Sequence, residues 1–97
     1  MLVDLSVTPL TGETQISEEI ARVVNIVEES GIPYQLTPTG TVIEGSWSEI
    51  MSVVEKCHNK ARESAPHVIT TIKIEDEEGA ENKLIENVNS VQEKMHA

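Results

Sequence analysis

Residues 33–49 read Pro-Tyr-Gln-Leu-Thr-Pro-Thr-Gly-Thr-Val-Ile-Glu-Gly-Ser-Trp-Ser-Glu. Two short runs, 33–37 and 41–45, flank Pro38-Thr39-Gly40, whose composition is typical of a tight hairpin connection. The final Ser-Trp-Ser-Glu has the spacing of a capping box with Ser46 as the N-cap, which predicts the start of a helix. The stretch therefore predicts a strand, a turn, a second strand and a helix in succession.

A strand and a helix are predicted on the N-terminal side. Residues 2–8 alternate between apolar and polar side chains, and we expect Pro9 to end this strand. Residues 11–14 are typical of a loop. Residues 17–30 are predicted as an amphipathic helix with Ser17 as its N-cap, because the following apolar residues have helical spacing: Ile16, Ile20, Val23, Val24 and Val27.

On the C-terminal side, Pro66 limits the helix that Ser46 opens. We expect its buried side to carry Trp47, Ile50, Met51, Val54 and Ala61. A strand follows at 67–74, with Val68, Thr70, Ile72 and Ile74 facing the helices. A last helix over 80–95 places Leu84, Val88, Val91 and Met95 on one stripe.

This order of elements defines the fold class. Strand, helix, strand, strand, helix and strand make an α+β, ferredoxin-like βαββαβ sandwich with a four-stranded antiparallel sheet and an additional C-terminal helix. Right-handed crossovers place both main helices on one face of the sheet. We expect residues 1–97 to form a single domain.

The sheet face away from the main helices needs its own explanation. Its expected lining is small and mixed: Asp4, Ser6, Thr8, Ile69, Thr71 and Lys73. Such a face can pack on another sheet or a ligand, or it can be solvated with the last helix folded against the domain. Self-association is the favoured interpretation.

Composition narrows the choice of partners. The net charge of −10 repels nucleic acid and anionic membrane surfaces. The single cysteine, Cys57, cannot form an internal disulfide, and this favours a reducing compartment. The chain begins without a basic, apolar leader, and no run reaches the ~20 apolar residues that span a bilayer. We therefore expect an acidic, cytoplasmic protein with no nucleic-acid or membrane partner.

Three activities common on this fold lack their residues. A copper chaperone needs a Cys-x-x-Cys pair, an acylphosphatase needs a cation in the first loop, and RNA-binding relatives need aromatic residues on the sheet. The adjacent pair Cys57-His58 has no identifiable catalytic or metal-binding partner and is expected to be a half-buried cysteine beside a surface histidine. We predict no enzyme, no metal and no catalytic cofactor.

Glu44 stands out because acidic residues are depleted in strands. Its carboxylate either accepts hydrogen bonds from an amine-bearing ligand, or it points to solvent or contacts the following turn. The sequence leaves these alternatives open.

The chain resembles the YkoF-related thiamine-binding family along its whole length. The resemblance rests on Pro9 and Gly12, Ser17, Tyr34-x-Leu-x-Pro-x-x-Thr41-x-x-Glu44-Gly45, Ile72-Lys-Ile74 and Lys83…Val88-x-x-Val91. It implies a homo-oligomer, either a dimer or a dimer of dimers. It also implies non-catalytic binding of thiamine, or of its hydroxymethylpyrimidine part, as a carrier, buffer or sensor. The alternative is a protein–protein assembly module with a vestigial pocket.

The resemblance also implies the ligand-binding residues. Thr41 and Glu44 are the first candidates, followed by Ser6, Thr37 and Tyr34. Family members usually carry Arg after the fourth strand, where this chain has an acidic run, so unphosphorylated thiamine is favoured. Because Thr41 and Glu44 are three residues apart, they share a pocket only through a bulge or a neighbouring subunit.

Overall fold

The computed structural model describes residues 1–12 and 16–96. The predicted loop at 11–14 therefore lies partly outside the described residues. The elements in chain order are β1 (Leu2–Leu10), α1 (Ser17–Glu29), β2 (Tyr34–Thr37), β3 (Gly40–Glu44), α2 (Trp47–Ser64), β4 (His67–Glu75) and α3 (Lys83–Met95).

The four strands form one antiparallel sheet in the order β2-β3-β1-β4. This confirms the predicted ferredoxin-like α+β architecture, with α3 as the additional helix. The two inner pairings differ in length. β1 pairs with β4 along its whole length, from Leu2 to Leu10, whereas β1 pairs with β3 only from Leu2 to Leu5. The far half of β1 therefore has a neighbouring strand on one side only.

The core lies between the sheet and the two main helices. Val3, Leu5 and Ile43 contribute from the sheet, and they pack against a cluster from the helices: Val23, Val27, Ile50, Val53, Cys57 and Ala61. The alternation of β1 produces this face, since odd-numbered residues point to the helices. Ile72 and Ile74 pair with Leu5 and Val3 and so lie on the same face as predicted, but each remains more than a third exposed at the sheet edge.

The prediction that Pro9 ends β1 is wrong. Pro9 pairs with Val68 of β4, and the strand continues to Leu10. Hydrogen-bonding direction alternates along a strand, and the Met1 carbonyl accepts from Gly45 on the β3 side. The ring nitrogen of Pro9 therefore faces the side where β3 has already ended, so no ladder hydrogen bond is lost.

α1 begins at Ser17 as predicted, but the predicted N-cap role of Ser17 is wrong, and the last helix begins later than the predicted start at about residue 80. Ser17 is the first residue of α1, and Ile16 occupies the N-cap position without a side-chain hydrogen bond. The last helix begins at Lys83 rather than at residue 80, because Asn82 has a left-handed φ of 56° that helical geometry does not allow. The predicted amphipathic character of α1 and α3 does not depend on these boundaries.

The capping box of α2 is present as predicted. Ser46 Oγ accepts from the Glu49 backbone N–H at 3.3 Å, and Glu49 Oε1 accepts from the Ser46 N–H at 3.0 Å. These hydrogen bonds hold the pKa of the Glu49 carboxyl below its usual value. Placing Trp47 on the buried side was wrong, because its side chain is 60 % exposed. Trp47 lies in the first turn of α2, ahead of the buried stripe.

Candidate functional site

A cavity of about 190 Å³ opens beside the start of β3, at Gly40, where β1 continues beyond its pairing with β3. Its floor is the far half of β1, which pairs with β4 but not with β3, and α1 and the turn between β2 and β3 cover it. The lining residues are Leu5, Ser6, Val7, Thr8, Ile20, Val23, Val24, Val27, Leu36, Thr37, Pro38, Thr39, Gly40 and Thr41. This space exists because β3 begins only at Gly40, whereas β1 continues to Leu10 beyond its last pair with β3.

The described lining of the cavity is apolar with several hydroxyl groups and carries no charged side chain. Thr41 is the buried polar residue among them, with 5 % of its surface exposed. The hydroxyl of Thr37 donates to the Gly40 carbonyl at 3.0 Å, which leaves its oxygen free to accept. Such a lining suits a neutral ring that carries a few polar atoms.

The backbone of β1 adds a donor and an acceptor to this cavity. In an antiparallel ladder the N–H and C=O of alternate residues point to the same side. Leu5 pairs with Thr41, and this is the last pair between β1 and β3 on the side of the cavity. Two residues further on, the peptide N–H and C=O of Val7 therefore point toward the cavity.

Three of the predicted ligand contacts meet at this cavity: Thr41, Thr37 and Ser6 line it. Tyr34 does not line it, since it lies opposite Ile43 and packs against the core at the other end of β2. The α1 side chains and Val7 were not predicted. Their contribution depends on where β3 stops relative to β1, and no sequence motif marks that relation.

Glu44 lies at the opposite end of β3 and does not line the cavity. The pairing of β1 with β3 is continuous from Thr41 to Glu44, so no bulge brings these two residues to one face. Instead, the Glu44 carboxylate accepts hydrogen bonds from the backbone N–H groups of Lys83 at 2.7 Å and Leu84 at 3.2 Å. It thus contacts the start of α3, which is neither the following turn nor solvent.

The pair Cys57-His58 takes part in structural contacts. Cys57 is completely buried rather than half-buried, and burial raises the pKa of its thiol to about 11. His58 Nδ1 and Thr70 Oγ1 are hydrogen-bonded at 2.7 Å between α2 and β4. Over residues 1–12 and 16–96, His, Cys, Asp and Glu form no group of three or more that could hold a metal ion. In the same described residues, no helix is both long and apolar enough to cross a membrane.

Comparison with known proteins identifies the family. A family described as thiamine-binding protein matches residues 3–92. The chain belongs to this thiamine-binding protein family. Its curated relatives include the UPF0045 protein Mb1933 of Mycobacterium bovis, 33% identical over 93 residues that cover 95% of this chain and 91% of the relative. The UPF0045 protein YqgV of Bacillus subtilis is 32% identical over 100 residues, covering 97% of this chain and 96% of that protein.

Solved structures agree with the fold of this family member. The hypothetical protein MJ1052 of Methanocaldococcus jannaschii superposes with a TM-score of 0.88 at 20% identity, covering 95% of each chain. A candidate thiamine biosynthesis/salvage protein of Thermotoga maritima superposes with a TM-score of 0.81 at 24% identity, covering 94% of this chain and 96% of that chain. These likenesses establish the shared ferredoxin-like architecture of the family.

Proposed function

We propose that the chain binds thiamine, or its hydroxymethylpyrimidine part, in the cavity between α1 and the far half of β1. It acts there as a carrier, buffer or sensor and carries out no reaction. The observation that supports this most directly is the meeting of Thr41, Thr37 and Ser6 at one cavity with an uncharged lining. Membership of the thiamine-binding protein family supports the choice of ligand.

The polar groups of the cavity suit an aminopyrimidine. Such a ring presents an exocyclic amine that donates and ring nitrogens that accept. The Val7 peptide offers one acceptor and one donor on the cavity side, and the Thr37 oxygen offers a further acceptor. The apolar side chains from α1 cover the faces of the ring.

The charges near the cavity favour unphosphorylated thiamine. The Asp4 carboxylate stands beside Gly40, because a β-carbon built on Gly40 would lie 3.2 Å from Asp4 Oδ1. A carboxylate at this edge suits the thiazolium cation. A phosphate would find no cationic side chain among the described lining residues, which agrees with the absence of the family's arginine after β4.

Cys57 supports two further parts of this proposal, the cytoplasmic location and the absence of a reaction at this thiol. A free, buried cysteine fits a reducing compartment such as the cytoplasm. The raised pKa keeps this thiol protonated, so it is not a nucleophile at neutral pH. Thiamine incubated with the protein is expected to be recovered chemically unchanged, and its turnover would contradict a purely binding role.

Isothermal titration calorimetry with thiamine tests the proposed site. We expect saturable binding to the unmodified chain, and Thr41→Val should raise Kd about 2- to 10-fold, because a hydrogen bond contributes about 0.5–1.5 kcal/mol. Thr71→Val is the matched control, since it makes the same change at an exposed residue of β4. Absence of heat at millimolar thiamine, or equal Kd values for the two variants, would contradict the site.

We propose in addition that the chain forms a homo-oligomer, a dimer or a dimer of dimers. Leu84, Val88, Val91 and Met95 keep a 4-3-4 spacing along α3, which is typical of a helix–helix seam. No residue of this helix is buried, and Met95 is 70 % exposed. Ile69 on the open sheet face is 50 % exposed. These surfaces also favour the alternative function, a protein–protein assembly module.

Sedimentation equilibrium tests the oligomer. We expect a mass that is a multiple of 10.7 kDa, and Val91→Lys should weaken association about 10-fold or more, because burying an unpaired charge is costly. Glu93→Gln changes a neighbouring position off the stripe and should leave the mass unchanged. A monomer at every concentration tested would exclude self-association. An oligomer without thiamine binding would favour the assembly module.

A further inference from the structure

Apolar contact contributes little to the attachment of α3. None of its residues is buried, and its main contact with the sheet is to β3. Val88 and Val91 remain about half exposed. An isolated helix of 13 residues is only marginally stable in water. Within one subunit, the position of α3 on the domain therefore depends on some other interaction.

The first turn of α3 provides that interaction. Asn82 occupies the N-cap position with a left-handed backbone, and its side chain makes no capping hydrogen bond. The Glu44 carboxylate takes this role from 39 residues earlier in the chain: Oε2 accepts from Lys83 N at 2.7 Å and Oε1 from Leu84 N at 3.2 Å. The first amides of a helix lack intrahelical partners and carry partial positive charge, so a carboxylate is favoured there.

The sheet holds Glu44 in position for this contact. Glu44 pairs with Leu2 of β1, and the backbone N–H of Glu44 donates to the Pro33 carbonyl at 3.0 Å. A second polar contact in the same region joins Lys83 Nζ to Glu77 Oε2 at 3.4 Å. Both of these side chains are partly exposed, and ion pairs of that kind contribute little to stability. Glu44 is therefore the stronger attachment.

We propose that Glu44 is a latch for α3: its carboxylate fixes the helix to the end of β3, and without it α3 detaches as a unit while the βαββαβ body stays folded. This role separates Glu44 from the cavity, where Thr41 lies three residues, roughly 10 Å, back along the strand and on the opposite face. The latch goes beyond the proposed thiamine binding and does not depend on it.

Hydrogen–deuterium exchange followed by mass spectrometry tests the latch on the full chain without ligand. In Glu44→Ala, the amides of α3 should exchange about 10-fold faster or more, because two charge-assisted hydrogen bonds are lost. The amides of α2 should keep their wild-type rates. Glu75→Ala is the matched control, since Glu75 lies near Glu44 at the same end of the sheet and the substitution likewise removes one negative charge. Wild-type protection of α3 in Glu44→Ala, or equal acceleration in α2 and α3, would overturn the proposal.

A measurement on the unmodified protein covers the case in which Glu44→Ala does not fold. We expect a scalar coupling through the hydrogen bond between the Lys83 amide nitrogen and the Glu44 side-chain carboxyl carbon in a labelled sample, and its absence would overturn the latch. Calorimetric titration of the wild-type chain with thiamine separates the two proposals. If thiamine fails to bind the wild-type chain, the cavity proposal is wrong, and the exchange rates still decide the latch.

Discussion

Replacing Ile43 by alanine is expected to lower the free energy of unfolding by about 2–5 kcal/mol. Ile43 is completely buried in β3 and packs against the helices, so the smaller side chain leaves a cavity that the surrounding core fills only in part. Domains of this size are stable by only about 5–15 kcal/mol, so the loss is a large share of the total. Chemical denaturation monitored by circular dichroism measures it.

Ile85→Ala provides the matched control for this prediction. The same atoms are removed from a side chain that is 61 % exposed on α3, and the stability should change by no more than about 0.5 kcal/mol. Both variants should keep the wild-type dependence on denaturant, because the surface exposed on unfolding is nearly the same. Equal losses for the two variants would mean that Ile43 is not part of the core.

Gly40→Ala is expected to disturb both stability and ligand binding. A β-carbon at this position would lie 2.6 Å from the Leu5 carbonyl oxygen, and the backbone of β1 cannot move aside as a side chain could. The shift should lower the free energy of unfolding by about 1–3 kcal/mol. Gly40 also lines the cavity at the start of β3, so thiamine should bind more weakly in the same calorimetric titration.

The control for Gly40 is Gly45, which follows directly after the other end of β3. A β-carbon on Gly45 would find its nearest neighbour at 3.5 Å, which is an ordinary contact. Gly45→Ala should therefore fold with nearly wild-type stability and bind thiamine as the wild type does. If Gly40→Ala were as stable as Gly45→Ala, the close approach of β1 and β3 at the cavity would be in doubt. Unchanged thiamine binding in Gly40→Ala would instead place the ligand elsewhere.

The element order and the faces of the strands follow from sequence alone. Alternation over residues 2–8 assigns Val3 and Leu5 to the core, and the spacing Ser-x-x-Glu places the start of α2 correctly. These are local signals, because side-chain direction and capping depend on residues only a few positions apart. The apolar stripe of α3 is of the same kind.

The exact ends of the elements did not follow from such signals. A proline usually ends a strand. Beside Pro9, however, β3 no longer pairs with β1, so the missing N–H of Pro9 costs no hydrogen bond. Trp47 matches the apolar spacing of α2 but lies ahead of the region that the sheet covers. Both outcomes depend on what lies beside the residue in space.

The fold class, the acidic character and a group of hydroxyl residues around the β2–β3 hairpin could be predicted from the order of the amino acids. Only the tertiary structure showed that Thr37, Thr41 and Ser6 surround a cavity and that Glu44 contacts the start of α3. The reason is that both arrangements join residues far apart in the chain. Strand lengths and helix placement bring them together, and no local pattern encodes those distances.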